Sequence, residues 1–278
     1  MKNIIDKSLK IIKDINPDNP RLIISLSGWM DAGKASTGTV KYLSTQHNAF
    51  KFAEIDPDPF YIYNFPGNME ISTYFRPFIN IEDGIISDVI QPENNLYYSE
   101  EHDIIYFIGK EPHLRWQRFE NLLLQMCREY NVKNILFVGS HGGLIPHSRE
   151  PRISFSTVSD KMKKQLLALS IRPVDYSGPG SIITSFTLKA YREGIKMASL
   201  VAEVPTYIEG YNPRCVVTMI RCLGRLLNQR IDTAELQKSV SAFDREFEAV
   251  LENQEDLKDH IQKLEEKYDN EEFNRDFK

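Results

Sequence analysis

The sequence predicts an α/β protein: a central, mostly parallel or mixed sheet flanked by helices, followed by a C-terminal helical hairpin. Three observations carry this. Short runs rich in β-branched and aromatic residues recur, and several are continuously apolar, as strands covered on both faces are. Longer segments with helical spacing lie between them, so strand and helix alternate. After Asp232 the strand signal ends and only a three-and-four rhythm of apolar residues remains.

The opening MKNIIDKSLKIIKDINPDNP interleaves Lys and Asp with Ile and Leu at helix-like spacing. RLIISLS reads as a buried strand leading through GWMDAGKAS into a helix over 34–46. KFAEID, FYIYNF, GIISDVI and DIIYFIG follow as strands, then a helix over 113–130 and the strand NILFVGS. RISFSTV is a strand, 159–169 and 185–194 are helices, MASLVAEV is a strand, and 212–229 is a helix. These elements form one α/β domain over residues 1–231.

The acidic segment 232–278 is a second unit. Leu236, Val240, Phe243, Phe247 and Val250 step by four and three, and Leu257, Ile261, Leu264 and Tyr268 continue the rhythm. One uninterrupted helix of this length would extend on the order of 54 Å and need a coiled-coil partner. A polar break at ENQED, with Asn253 as a cap and Asp256 three positions later, favours two helices folded into a hairpin.

With 41% hydrophobic and 26% charged residues in 278, the chain has the composition of a globular protein with a full core. No apolar stretch approaches the roughly 18 residues a membrane span needs, and the N-terminus lacks the unbroken apolar segment of a secretory leader. Cys127, Cys215 and Cys222 form no CxxC pair. The expectation is a cytoplasmic protein without disulfides, metal or cofactor. Net charge is -5, but 15 acids and 7 bases follow from Asp232 onward, leaving the rest of the chain basic. No basic stripe with interleaved aromatics argues for nucleic acid.

Gly28-x-x-x-x-Gly33-Lys34 is the skeleton of a phosphate-binding loop, yet its chemistry is incomplete. A magnesium-holding hydroxyl should follow the lysine, and Ala35 stands there; Ser36 comes one residue, about 100° of helix, too late. Asp31 would sit among the phosphates, where like charges about 4 Å apart repel by roughly 4 kcal/mol at an effective dielectric near 20. A tight strand-to-helix turn fits better, with Asp31 capping the helix that opens at Lys34.

The same residues carry a resemblance. LSGWMDAGKAS resembles the GW-x-DAG signature of the proteasome assembly chaperone family. IPHSREPRISFS is similar to its PHTR-P segment, YSGPGSI to its Y-x-GP turn, AEVPTYIEGYNPRCVVTMIRCLGRLL to its VPHY-to-NP helix, and DLKDHIQKLEEKYD to its last helix. Lys34 stands where an acid is common, Ser148 where Thr is, and Thr206 where His is. The resemblance implies a core like that of nucleoside phosphorylases and peptidyl-tRNA hydrolase-like proteins, and self-assembly, a trimer first, or assembly of protein partners.

Candidate pocket or interface residues are Gly28, Asp31, Lys34, His141, His147, Arg149, Arg152, Gly178, Glu203 and Tyr207. His141 in GSHGGLIPH, followed by His147, would supply a general base and Arg149 and Arg152 anion clamps, or the loop is ordered by side-chain to backbone hydrogen bonds and an Arg salt bridge at a subunit contact. Glu203 closes an apolar strand, where burial would raise its pKa, or it pairs with Arg149, Arg152 or Lys34. Gly178 belongs to a turn at a pocket rim or subunit edge. No Ser sits in a GxSxG elbow and Cys127 has no activating base nearby. The reading favoured is a non-catalytic, homo-oligomeric scaffold; the alternative is a small-molecule hydrolase, phosphorylase-like enzyme or ligand sensor working at the strand ends.

Overall fold

The computed structural model describes residues 6–252 and 254–276. In chain order these form β1 (Leu9–Ile11), β2 (Arg21–Ser27), α1 (Ala35–Gln46), β3 (Phe50–Ile55), α2 (Met69–Thr73), β4 (Phe78–Glu82) and β5 (Ile85–Ile90). There follow β6 (Asn95–Ser99), β7 (Ile104–Lys110), α3 (Trp116–Glu129), β8 (Asn134–Gly143), β9 (Ile153–Thr157), α4 (Asp160–Ala168) and β10 (Arg172–Pro173). The chain continues through α5 (Ile182–Arg192), β11 (Lys196–Pro205), α6 (Pro213–Leu227), α7 (Ala234–Leu251) and α8 (Glu255–Asp276).

Among the described residues, nine strands make one sheet in the order β1-β3-β6-β7-β2-β8-β11-β9-β10. β7, β2, β8 and β11 are mutually parallel at its centre, while β1, β3 and β6 extend one side antiparallel. The sheet is therefore mixed. Alternation along β2 shows why its run has no polar face: Leu22, Ile24 and Leu26 pack with Phe119 and Leu123 of α3 and Phe186 of α5. Ile23 packs on the other side with Val40 of α1 and Val216 and Ile220 of α6. Burying a Leu or Ile side chain contributes about 1.5–3 kcal/mol, so these strands anchor the fold.

Helix boundaries follow local chemistry. The Asn212 side chain accepts the Cys215 N–H at 3.0 Å with Pro213 in the first turn, and Asn228 closes α6 in the left-handed region. Gly33 has φ +59°, and a Cβ there would lie 2.9 Å from both the Asn212 Cβ and Val204 Cγ1, so only glycine fits this turn.

Two sequence readings are corrected and others are completed. Leu9–Ile11 is an edge strand on β3 where helical spacing was read. FYIYNF is not a strand: prolines flank it, and the Tyr61 hydroxyl, 2.8 Å from Asn94 Oδ1 and 2.6 Å from the Lys110 carbonyl, ties it down as a loop. GIISDVI is a strand, but it pairs with β4 in a separate ribbon. β4, β6 and β10 have no counterpart in the sequence reading.

The C-terminal segment is two helices, α7 and α8; the expected cap at Asn253 lies outside the described residues. Both helices reach Tyr207, with ring centroids of Phe247 and His260 at 5.9 and 6.4 Å. Leu236 and Val240 of α7 join the apolar cluster on the α6 face of the sheet.

Candidate functional site

The carboxyl ends of β2, β8 and β11 lie side by side, where open α/β sheets place their ligands. The turn after β2 is stitched to β8: Ser140 donates its N–H to the Met30 carbonyl at 2.9 Å and its hydroxyl to the Ala32 carbonyl at 2.8 Å. Asp31 accepts both the backbone N–H and the hydroxyl of Thr37, at 2.9 and 2.8 Å. It therefore holds the first turn of α1 at Thr37 rather than the N–H groups at Lys34 that the sequence reading gave it, and Lys34, at the N-cap position of α1, makes no side-chain cap bond. Burial pushes its carboxyl above the usual range against these bonds.

Two neighbouring groups of the phosphate-loop skeleton lie in different surroundings. The Ser36 hydroxyl is fully buried and donates to the Val138 carbonyl, inside the molecule. Lys34 is exposed at φ 48°.

The remaining candidates separate into distinct places. Gly28 lines a cleft of about 460 Å³ with Trp29, Trp116, His113 and the Pro179–Gly180 turn. Gly178 lies in that turn, which the Tyr176 hydroxyl closes by donating to the Pro179 carbonyl at 3.0 Å. Asp31 and Lys34 line a larger cleft of about 710 Å³ between α1 and the β4–β5 ribbon, with Lys41, Arg76 and Lys110. Burial lowers the Lys110 pKa there.

His141 and Glu203 are register partners on β8 and β11. His141 is exposed with Nδ1 2.9 Å from the Gly142 carbonyl oxygen. Glu203 lies against Gly143, whose missing side chain gives it room: a Cβ would come within 3.1 Å.

The segment 146–152 is strapped by α8. Arg149 makes two 2.8 Å bonds to the Asp269 carboxylate and approaches Glu265 at 3.4 Å. Arg152 pairs with Glu271 at 2.7 Å and Glu272 at 3.1 Å, and its guanidinium stacks 4.3 Å from the Tyr268 ring centroid. Ser148 donates to Glu265, and Tyr268 donates to the Glu150 carbonyl at 2.8 Å. These α8 residues were not among the candidate site residues; the acid excess after Asp232 against a basic body and, for Glu265, Tyr268 and Asp269, the DLKDHIQKLEEKYD resemblance were their signals.

His147 is buried beside them. Tyr207 Oη accepts the His147 N–H at 2.7 Å, which leaves its own proton for Nδ1, 3.0 Å away. The imidazole is then neutral with its proton on Nε2, and burial lowers its pKa despite Glu248, Asp244 and Glu265 nearby. Burial raises Tyr207 to about 12 and Cys127 and Cys215 to about 12, so neither thiol is a poised nucleophile.

This geometry defines an α/β core whose strand-end loops are closed by a pair of C-terminal helices. The PAC2 family profile matches residues 25–251, and the chain belongs to that family. Among curated proteins none matches it. A PAC2 family protein from Streptomyces avermitilis is 23% identical with a TM-score of 0.70, covering 84% of this chain and 97% of that one. A proteasome-assembly chaperone homologue from Mycobacterium tuberculosis is 24% identical with a TM-score of 0.73, covering 87% and 99%. A second Mycobacterium tuberculosis protein, of unknown function, is 16% identical with a TM-score of 0.83, covering 97% and 92%. At these identities the likeness is one of fold. Among the described residues no helix is long and apolar enough to cross a membrane.

Proposed function

We propose that the protein is a non-catalytic scaffold of the assembly-chaperone type that works as a homo-oligomer, three copies being the size the resemblance implies. The relative from Mycobacterium tuberculosis described as a proteasome-assembly chaperone homologue supports the general role. One observation carries the self-association: the bare face of the β4–β5 ribbon. Register pairs Ile79 with Val89 and Ile81 with Ile86, which puts four aliphatic side chains on one side. All four are exposed, Ile86 at 64%. That face leaves on the order of 400 Å² of apolar surface in water, as much as the largest patch a monomer usually tolerates. Phe78, Ile85 and Ile90 project from the ribbon's other side, where Phe78 and Ile90 line the cleft against α1.

A two-stranded ribbon is marginal by itself, so covering this face also explains why it holds its shape. The second copy is the occupant we assign, because a face with no charge of its own fits an identical face equally bare. The polar groups an enzyme would gather are taken up instead: Asp31 by Thr37, Arg149 by Asp269. Light scattering after size exclusion tests the reading. The wild-type chain should elute as an oligomer, and Ile79→Asp with Ile86→Asp should convert it to a folded monomer; a wild-type monomer at micromolar concentration overturns it.

A further inference from the structure

Apart from the ribbon, the β10 edge of the main sheet carries a second feature. A cleft of about 460 Å³ opens between β10, α6 and the end of α8. Arg152, Arg172, Arg221 and Arg225 all line it, against the acids Glu150 and Glu272. Arg221 and Arg225 are four apart on α6, an unfavourable pair on any helix without an anion beside it. Among the described residues neither Arg221 nor Arg225 makes an ion pair; Arg225 donates to the Leu169 carbonyl at 3.3 Å and lies beside the Cys222 thiol. Arg152 Nη2 is buried with no hydrogen-bond partner. Glu272 serves both Arg152 and Arg172, and Arg152 also pairs with Glu271. The α6 side of the cleft, with Arg221 and Arg225, is the part short of anions, and a buried guanidinium nitrogen left unbonded is costly.

The strap that reaches it shows what chemistry suits it. Glu265, Tyr268, Asp269 and Glu272 recur at i, i+3, i+4 and i+7, one face of α8. Each meets the arginine-bearing side: the carboxylates take guanidinium or hydroxyl donors and the Tyr268 ring lies under Arg152.

We propose that this arginine cleft is a binding site for an acidic, aromatic-bearing segment of a protein partner, and that the end of α8 holds its mouth in cis as an intramolecular stand-in. The strap is fastened mainly by solvent-accessible ion pairs, which exchange readily with other carboxylates. Its tethering gives it a high effective concentration, so a competitor in trans binds weakly until the strap is loosened. The inference does not depend on self-association through the ribbon.

Fluorescence anisotropy with a labelled peptide QKLEEKYDNEEFNRD, the chain's own residues 262–276, tests it on full-length protein. The variant Asp269→Asn, Glu271→Gln, Glu272→Gln should bind the peptide at least tenfold more tightly than wild type. Adding Arg221→Gln and Arg225→Gln, two exposed residues, should remove most of that gain. If the triple variant melts, Glu272→Gln alone should give a smaller gain of the same sign. Three results overturn the proposal: no binding to any variant at millimolar concentration, binding indifferent to Arg221 and Arg225, or a labelled single-stranded RNA binding the same variant more tightly than the peptide.

Discussion

Arg149 and Asp269 stand 120 residues apart and meet in a two-pronged pair, Nε and Nη2 each 2.8 Å from a carboxylate oxygen. The contact fixes α8 across the segment that follows β8. Both side chains are partly exposed, so the pair orients more than it stabilises. Asp269→Asn should raise amide exchange in α8 several-fold while leaving the thermal midpoint almost unchanged. Exchange mass spectrometry at low and high salt checks this, since salt should loosen the wild-type strap in the same way.

Asp31 gives a sharper stability test. Removing its cap with Asp31→Ala should cost about 1–2 kcal/mol in urea unfolding. The carboxyl is raised by burial in the folded state, so ionising it opposes folding above that raised pKa. The penalty is relieved as pH falls from the folded value toward the ordinary one of an aspartate. Wild type should therefore gain stability relative to Asp31→Asn over that acid window, and parallel pH profiles would remove burial as the dominant influence on this carboxyl.

His47 sets the stability on the acid side of neutrality. It is buried between Tyr106, whose hydroxyl lies 2.6 Å from Nδ1, and His102, whose ring centroid is 3.8 Å away. Burial, then the His102 charge, lowers it to about 4. Above the unfolded value near 6.5 both states hold a neutral ring; below it the unfolded chain alone takes up the proton. Stability should fall as pH drops from about 6.5 to about 4, by up to roughly 3 kcal/mol from this residue. His147 is shifted the same way and adds to the slope. Denaturation of His47→Gln across this range should show a shallower decline than wild type.

How much of this was legible depends on where each signal lives. β2, β7, β8 and β11 are buried on both faces, so their apolar runs are local and unmistakable. GIISDVI has the same local signature, yet β5 lies outside the main sheet with every residue exposed; a run of aliphatics encodes a strand, not what covers it. NLYYS was passed over because Asn95 and Ser99 blunt the run, though both are buried and the Ser99 hydroxyl bonds the His47 carbonyl at 2.7 Å. That Asp31 serves the start of α1 was readable because its bonds to Thr37 span only six residues, although the residue it holds was misplaced. The union of Arg149 and Arg152 with α8 was not, because charge imbalance predicts attraction without naming its partners.

Ser36 and Lys34 decide between a nucleotide loop and a structural turn, and they do so in opposite senses. In a phosphate loop the lysine is the indispensable group and a hydroxyl one position late is idle. Here the Ser36 hydroxyl donates to the Val138 carbonyl in the core, while the Lys34 side chain stands in water. Ser36→Ala should then cost about 1–3 kcal/mol, because a buried acceptor loses its donor. Lys34→Ala should stay within about 0.5 kcal/mol, as surface changes do. Magnesium-ATP at millimolar concentration should shift the melting temperature of neither variant nor wild type. A saturable shift in wild type that vanishes with Lys34→Ala would restore the nucleotide reading and take with it the view that this turn exists to hold β2, β8 and α1 together.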